Sequence, residues 1–229
     1  TVADQSVGGV RGVVELGAIA GVEPGQIDAL FHGTTVATNI VIERNGAEVG
    51  MITTRGFRDI LHMGRHKRPH NFSLQFDVPW QSQPLVKRRN RISVAERILP
   101  PTGEVVTPLD EAAVRAACAV FKKRGINSVV IGFMFAFLND AHELRAKEIV
   151  LEEMPEAYVT LSSEVAKVMR EYERFSTAAM NSYVGPKTAF YLRDLDSRLR
   201  EAGVTSKLRI MQSNGGVSTV DACARRPIR

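Results

Sequence analysis

Two short turns carry the residues best suited to chemistry. The first, His32-Gly33-Thr34-Thr35, follows the apolar pair Leu30-Phe31 and precedes Val36, Ile40 and Val41 at helical spacing. That pattern reads as the end of a buried strand, a turn that glycine's backbone freedom allows, and a helix capped by the hydroxyl of Thr34 or Thr35. Backbone amides and a helix dipole would converge there on an anion. The same residues also describe a capped helix with no ligand. The second turn, Ser213-Asn214-Gly215-Gly216, follows a strand-like segment at 207–212. It offers a hydroxyl, a carboxamide and two glycines that let a ligand approach the backbone closely. Asn-Gly is equally a hairpin turn. Both turns fall at the carboxyl ends of expected parallel strands, where open α/β sheets bind ligands.

Other chemistry-bearing residues point to less. His62, His66 and His70 sit four apart, but Pro69 breaks a helix before His70 and no Cys or carboxylate accompanies them at ligand spacing. No metal site is expected. Cys118 and Cys223 make neither a disulfide framework nor a metal motif. They are read as reduced thiols in a cytoplasmic protein, Cys118 as core filling. The formal charge of +5 is concentrated in one stretch. Arg55, Arg58, Arg65, Lys67, Arg68, Lys87, Arg88, Arg89, Arg91 and Arg97 face only Asp59, Asp77 and Glu96. No nucleic-acid module surrounds this basic stretch, so a polynucleotide is not the expected partner. A partner subunit docking on residues 64–91 is. The Pro-bounded 79–84 segment with Trp80 reads as a loop.

The elements that must position the turns follow from periodicity. A hydrophobic share of 44% in 229 residues is ample for a core, and no apolar run reaches the roughly 20 residues that cross a bilayer. Helix is expected over 6–20, residues 26–31 leading into the opening strand, helix after Thr35, strand at 48–53 and a short helix opened by residues 54–59. This alternation predicts one α/β layer. Residues 90–98 read as a strand, 104–106 as a short one, and 111–124 as a helix with Ala113, Ala117, Val120 and Phe121 inward. Residues 128–134 are apolar on both faces, as in a covered parallel sheet. With a helix to Glu153 and a strand at 158–161 they form a βαβ unit. Two helices are expected next, 165–183 and 187–202, separated at Gly185-Pro186, then the strand at 207–212.

Five blocks in fixed order resemble the hydantoinase A/oxoprolinase family. They are His32-Gly33-Thr34-Thr35-Val36-Ala37-Thr38-Asn39, Ile52-Thr53-Thr54-Arg55-Gly56-Phe57-Arg58-Asp59, Leu161-Ser162-Ser163-Glu164, Arg170-Glu171-Tyr172-Glu173-Arg174 and Met211-Gln212-Ser213-Asn214-Gly215-Gly216-Val217. The basic stretch, Gly64-Arg65-His66-Lys67-Arg68-Pro69-His70-Asn71-Phe72-Ser73-Leu74 and Pro84-Leu85-Val86-Lys87-Arg88-Arg89-Asn90-Arg91, is similar to the branch holding the ATP-binding subunits of acetone carboxylase.

The resemblance implies an α/β fold of the actin-like, ribonuclease H-like ATPase type. It implies ATP with Mg2+, a small carbonyl substrate, and a larger hydantoinase B-type subunit as partner. The implied chemistry phosphorylates a carbonyl oxygen. A cyclic amide of the hydantoin or 5-oxoproline type is then hydrolysed; in the alternative, a ketone is carboxylated as in acetone carboxylase, or the piece is a non-catalytic partner-binding module. Cofactor contacts are implied at Gly33, Thr34, Thr35, Asn39, Ser213, Asn214, Gly215 and Gly216, with no catalytic residue assigned. Family members begin with an Asp-x-Gly-Gly-Thr phosphate loop and continue beyond the Gly-Gly block. The chain is therefore expected to be a fragment, inactive alone, with residues 1–204 as a partial N-terminal region and 205–229 opening the next domain.

Overall fold

The computed structural model describes residues 5–65, 72–73, 76 and 78–228. In chain order these form α1 (Gln5–Ala20), β1 (Leu30–His32), α2 (Val36–Ile42), β2 (Val49–Thr54), α3 (Ile60–Met63), α4 (Pro79–Ser82), β3 (Arg91–Val94), β4 (Arg97–Leu99) and β5 (Glu104–Thr107). There follow α5 (Glu111–Lys123), β6 (Ser128–Gly132), α6 (Ala141–Glu153), β7 (Tyr158–Leu161), α7 (Ser162–Val165), α8 (Glu171–Glu201), β8 (Leu208–Met211), β9 (Val217–Thr219) and α9 (Val220–Arg225).

The chain divides into two compact units, Ala47–Tyr183 and the remainder on either side of it. In the Ala47–Tyr183 unit an all-parallel sheet has the order β3-β2-β6-β7. Every residue of β2 and β6 is buried, as strands covered on both faces must be. Residues 128–134 are buried as their apolar run requires, although the strand itself ends at Gly132. On one face Ile52, Val129 and Ile131 pack with Val114, Ala117, Cys118, Phe121, Ala146 and Ile149. On the other, Met51 and Val130 meet Phe175, Ala178 and Ala179. Helix α5 owes its start to Asp110, whose side chain accepts from the Ala113 amide at 2.9 Å. Its end is matched to the dipole by Lys122 and Lys123. Its inward residues are Val114, Ala117, Cys118 and Phe121, with Ala113 and Val120 only half-buried.

The second unit holds a smaller sheet, β1-β8-β9, with β1 parallel to β8 and β9 antiparallel. Its core is Leu192, Leu195, Leu199, Val204, Leu208, Ile210 and Cys223, with Val10, Val13 and Leu30 packed against it.

Several expectations are corrected. β1 and β2 do not share a layer, because β1 pairs with β8 and β2 with β3 and β6. β1 is not a buried strand, since Phe31 is 54% exposed. Residues 90–98 split between β3 and β4, which belong to different sheets. Residues 79–82 are helical, not loop, and the short helix after β2 starts only at Ile60. Residues 166–170 are not helical, and Pro186 does not divide α8. Proline cannot donate to the carbonyl four residues back, but Ser128 Oγ donates to that carbonyl, Ser182 O, at 2.7 Å. One residue on, the Ala47 amide donates to Tyr183 O at 2.9 Å.

The Lys87-Arg88-Arg89 cations are paired within the unit. Arg88 holds Asp59 with two bonds of 2.9 Å, while Lys87 and Arg89 approach Glu48 at 3.2 and 3.7 Å. His66, His70, the Trp80 side chain and much of the 64–84 stretch lie outside the described residues. Among the described residues no group of three or more His, Cys, Asp or Glu could hold a metal ion, and no helix is long and apolar enough to cross a membrane.

Candidate functional site

The two turns singled out in the sequence leave neighbouring strands at one end of one sheet. β1 and β8 run parallel in the register Leu30↔Leu208 to His32↔Ile210, so residues 33–35 and 212–216 emerge side by side. Gly33, Thr34, Thr35, Ser213, Asn214 and Gly215 are exposed, and Gly216 and Asn39 half-buried. Thr35 occupies the N-cap position of α2 without a side-chain capping bond. Thr34 supplies the hydroxyl instead, accepting from the Val36 amide at 3.2 Å. α2 has only seven residues, so its dipole adds little.

The glycines differ from expectation in what they contribute. Gly33 is not in the left-handed region, and an added Cβ would meet nothing within 4 Å. It keeps space open instead of enabling a turn. Gly215 does need its freedom, at φ +82°. The Ser213–Gly216 turn is a true hairpin joining β8 to β9. Gly215 N donates to Gln212 O at 3.0 Å, and Asn214 Oδ1 accepts from Gly216 N at 2.9 Å. Asn39 sits one turn into α2, its amide donating to Thr35 O at 2.8 Å.

His32 was in the first block but carried no assigned role. Its Nε2 lies 2.9 Å from the Tyr191 hydroxyl, with the rings 5.9 Å apart. Burial holds the imidazole below its ordinary value, so the ring is neutral at neutral pH. The signal missed was the position itself, the last residue of a strand aimed at the turn.

The other three blocks meet in the Ala47–Tyr183 unit, at the carboxyl ends of its parallel strands. Glu143 of α6 is fully buried. One of its oxygens accepts from Phe133 N at 3.0 Å and from Ser162 Oγ; the other accepts from Ser163 N at 2.9 Å and Ser163 Oγ at 2.7 Å. Arg174, also fully buried, donates to Ser162 Oγ at 2.6 Å and to Phe133 O at 2.8 Å, with Nη1 3.6 Å from Glu143. Burial pushes the Glu143 carboxyl up, opposed by those four hydrogen bonds. Burial likewise pulls Arg174 down, opposed by Glu143 and Glu171. Beside this network a cleft of about 720 Å3 is lined by Ile60, Met63, Arg65, Arg170, Glu171 and Tyr172. That volume suits a small molecule.

Two units built on parallel strands, each with polar groups gathered at the strands' carboxyl ends, place the chain among open-sheet α/β proteins. It belongs to the hydantoinase/oxoprolinase family: the model of the hydantoinase/oxoprolinase N-terminal region matches residues 1–154, and that of hydantoinase/oxoprolinase matches residues 174–229. An uncharacterized protein of Methanocaldococcus jannaschii is 35% identical over 93% of the chain and 32% of its own length. The caprolactamase subunit alpha of Pseudomonas jessenii is 33% identical over 91% of the chain and 30% of its own length. The crystal structure of that ATP-dependent caprolactamase superposes with a TM-score of 0.81 at 32% identity, covering 92% of this chain and 31% of that one. A nucleotide-free acetone carboxylase, from a study of ATP-dependent acetone carboxylation, gives a TM-score of 0.83 at 25% identity over 98% of this chain and 34% of its own. The chain thus spans about a third of the length of these relatives.

Proposed function

We propose that this chain is part of an ATP-dependent enzyme subunit that phosphorylates a carbonyl oxygen so that a cyclic amide can be hydrolysed. The observation that carries the reading is the side-by-side placement of the 33–35 and 213–216 turns on adjacent parallel strands, within a family whose relatives include an ATP-dependent caprolactamase. An amide oxygen is a poor leaving group and its phosphate ester a good one. Oriented donors stabilise the transferred phosphoryl.

The residues fit a phosphate. Gly33 leaves open space, the Thr35 hydroxyl makes no capping bond, and the Asn214 carboxamide keeps its N–H donors beyond the Gly216 contact. Gly33, Thr34, Thr35, Asn39, Ser213, Asn214, Gly215 and Gly216 would border ATP phosphate or the activated oxygen, within an actin-like fold completed by the parent chain. ATP with Mg2+ supplies the phosphoryl group, and a larger hydantoinase B-type subunit is the expected partner.

A ketone carboxylase is the second reading, supported by the fit to acetone carboxylase over 98% of the chain. Phosphate release by the full-length parent with its partner, measured with ATP and either ε-caprolactam, 5-oxoproline, or acetone plus bicarbonate, separates the two. Lactam-stimulated release is expected. Asn214→Ala should lower it roughly tenfold to a thousandfold with melting little changed. ATP consumption that no carbonyl compound stimulates would remove the proposal.

A further inference from the structure

The cleft of about 720 Å3 at the start of α8 takes no part in the phosphate chemistry of the two turns, and every described residue lining it belongs to the Ala47–Tyr183 unit. Its charged lining is balanced, Arg65 and Arg170 against Glu171 and Glu173. One pair is satisfied internally. Arg65 Nε donates to Glu173 at 2.6 Å, and the same guanidinium lies 5.7 Å from the centre of the Tyr172 ring. The other pair is open. Arg170 is exposed, and its guanidinium makes no hydrogen bond or salt bridge with a described residue. Glu171 is 18% exposed; its Oε1 lies 3.5 Å from both Phe135 N and Arg174 Nη2, and its Oε2 accepts no hydrogen bond from a described residue. Arg170 also sits at φ +85°, a conformation that glycine adopts without strain. A turn alone would not call for arginine there, whereas a cation at the cleft does.

This lining discriminates between ligands. A polyanion such as a nucleotide would bring its charge against two carboxylates, and a simple amine would meet two guanidiniums. We propose that the cleft binds a small zwitterion, an amino acid whose carboxylate takes Arg170 and whose ammonium takes Glu171 Oε2. Its carbon body would lie on Ile60, Met63 and the half-buried Tyr172 ring. Both polar contacts are charge-assisted hydrogen bonds, and apolar walls that exclude water strengthen them. The site stands on this unit alone and needs nothing from the 33–35 and 213–216 turns. Hydrolysis of a lactam releases an amino acid, so the reading proposed above makes a product-like molecule the natural occupant; only that identity rests on it.

Calorimetry on the full-length parent with its partner and without nucleotide tests it, with hydrogen exchange locating the contact. The probes are 6-aminohexanoate and leucine, which hold amine and carboxylate at different spacings, with hexanoate and hexylamine as single-charge controls. At least one amino acid should bind at least about tenfold tighter than either control and slow exchange in the peptides carrying residues 60–65 and 170–174. Arg170→Gln should abolish that protection and weaken binding at least about tenfold, with melting unchanged because the guanidinium holds no described residue. This variant also separates the cleft from any other amino-acid site on the parent. Three results would each overturn the proposal: no protection of those peptides by either amino acid, a control that binds as tightly as both, or Arg170→Gln within about threefold of wild type. None of these readouts requires the parent to turn over a lactam, so failure of the function proposed above would leave the test intact.

Discussion

Replacing Glu143 tests most directly how the Ala47–Tyr183 unit is held together. In Glu143→Ala the amides of Phe133 and Ser163 lose their acceptor in a site with no water access. Each buried unpaired group costs roughly 1–3 kcal/mol. The two serine hydroxyls can rotate to other acceptors, so they add less. Arg174, fully buried, loses its neighbouring carboxylate, and breaking a buried pair costs roughly 3–5 kcal/mol. These terms overlap, so about 4 kcal/mol is the expected minimum, a large part of the roughly 5–15 kcal/mol that a domain has. Glu143→Gln preserves shape and one acceptor, but its NH2 must face one of the two donor pairs, and a loss of about 2–4 kcal/mol is expected. Guanidinium unfolding followed by far-UV CD gives the scale, and hydrogen exchange at Phe133 and Ser163 assigns the loss to this unit. Glu143→Ala within about 1 kcal/mol of wild type, with those two amides still protected, would refute the reasoning.

Three further outcomes follow from packing and burial. A Cβ added at Gly50 would sit 2.7–2.9 Å from the Phe121 ring, so Gly50→Ala should cost about 1–3 kcal/mol by overpacking. Phe121→Leu in the same chain should recover part of the loss, measured by a double-mutant cycle. His32 is held below its ordinary 6.5 by burial, so the folded state binds its proton more weakly than the unfolded state does. Its contribution is intact above pH 6.5 and is lost as pH falls through the folded value. The ring C2 proton should titrate below 6.5, and His32→Gln should flatten the acid side of the stability–pH curve. Burial pushes the Cys118 thiol up to about 11, so iodoacetamide at pH 8 should leave Cys118 unlabelled in the native chain and alkylate it in guanidinium.

Periodicity in the sequence determined the regular elements, because residues that must bury one face or two leave that face in the order of residue types. Residues 128–134 read as a doubly covered strand and are buried throughout. The Asp110 cap, α5 and the β6-α6-β7 unit follow from local chemistry alone. The sequence also placed the 33–35 and 213–216 turns each after a strand. Only the tertiary structure decided that those strands are neighbours, since Leu30↔Leu208 pairing leaves no local trace. It alone decided that β1 and β2 part company, because a short apolar strand does not encode which sheet it joins. Pro186 shows the same limit from the other side. Its missing donor predicts a break, but the carbonyl it frees is satisfied by Ser128, a residue on a strand remote in sequence. Thr54, Glu96 and His142 likewise look ordinary one by one, and only the folding of β2, the loop before β4 and α6 onto one another makes them a single hydrogen-bonded chain.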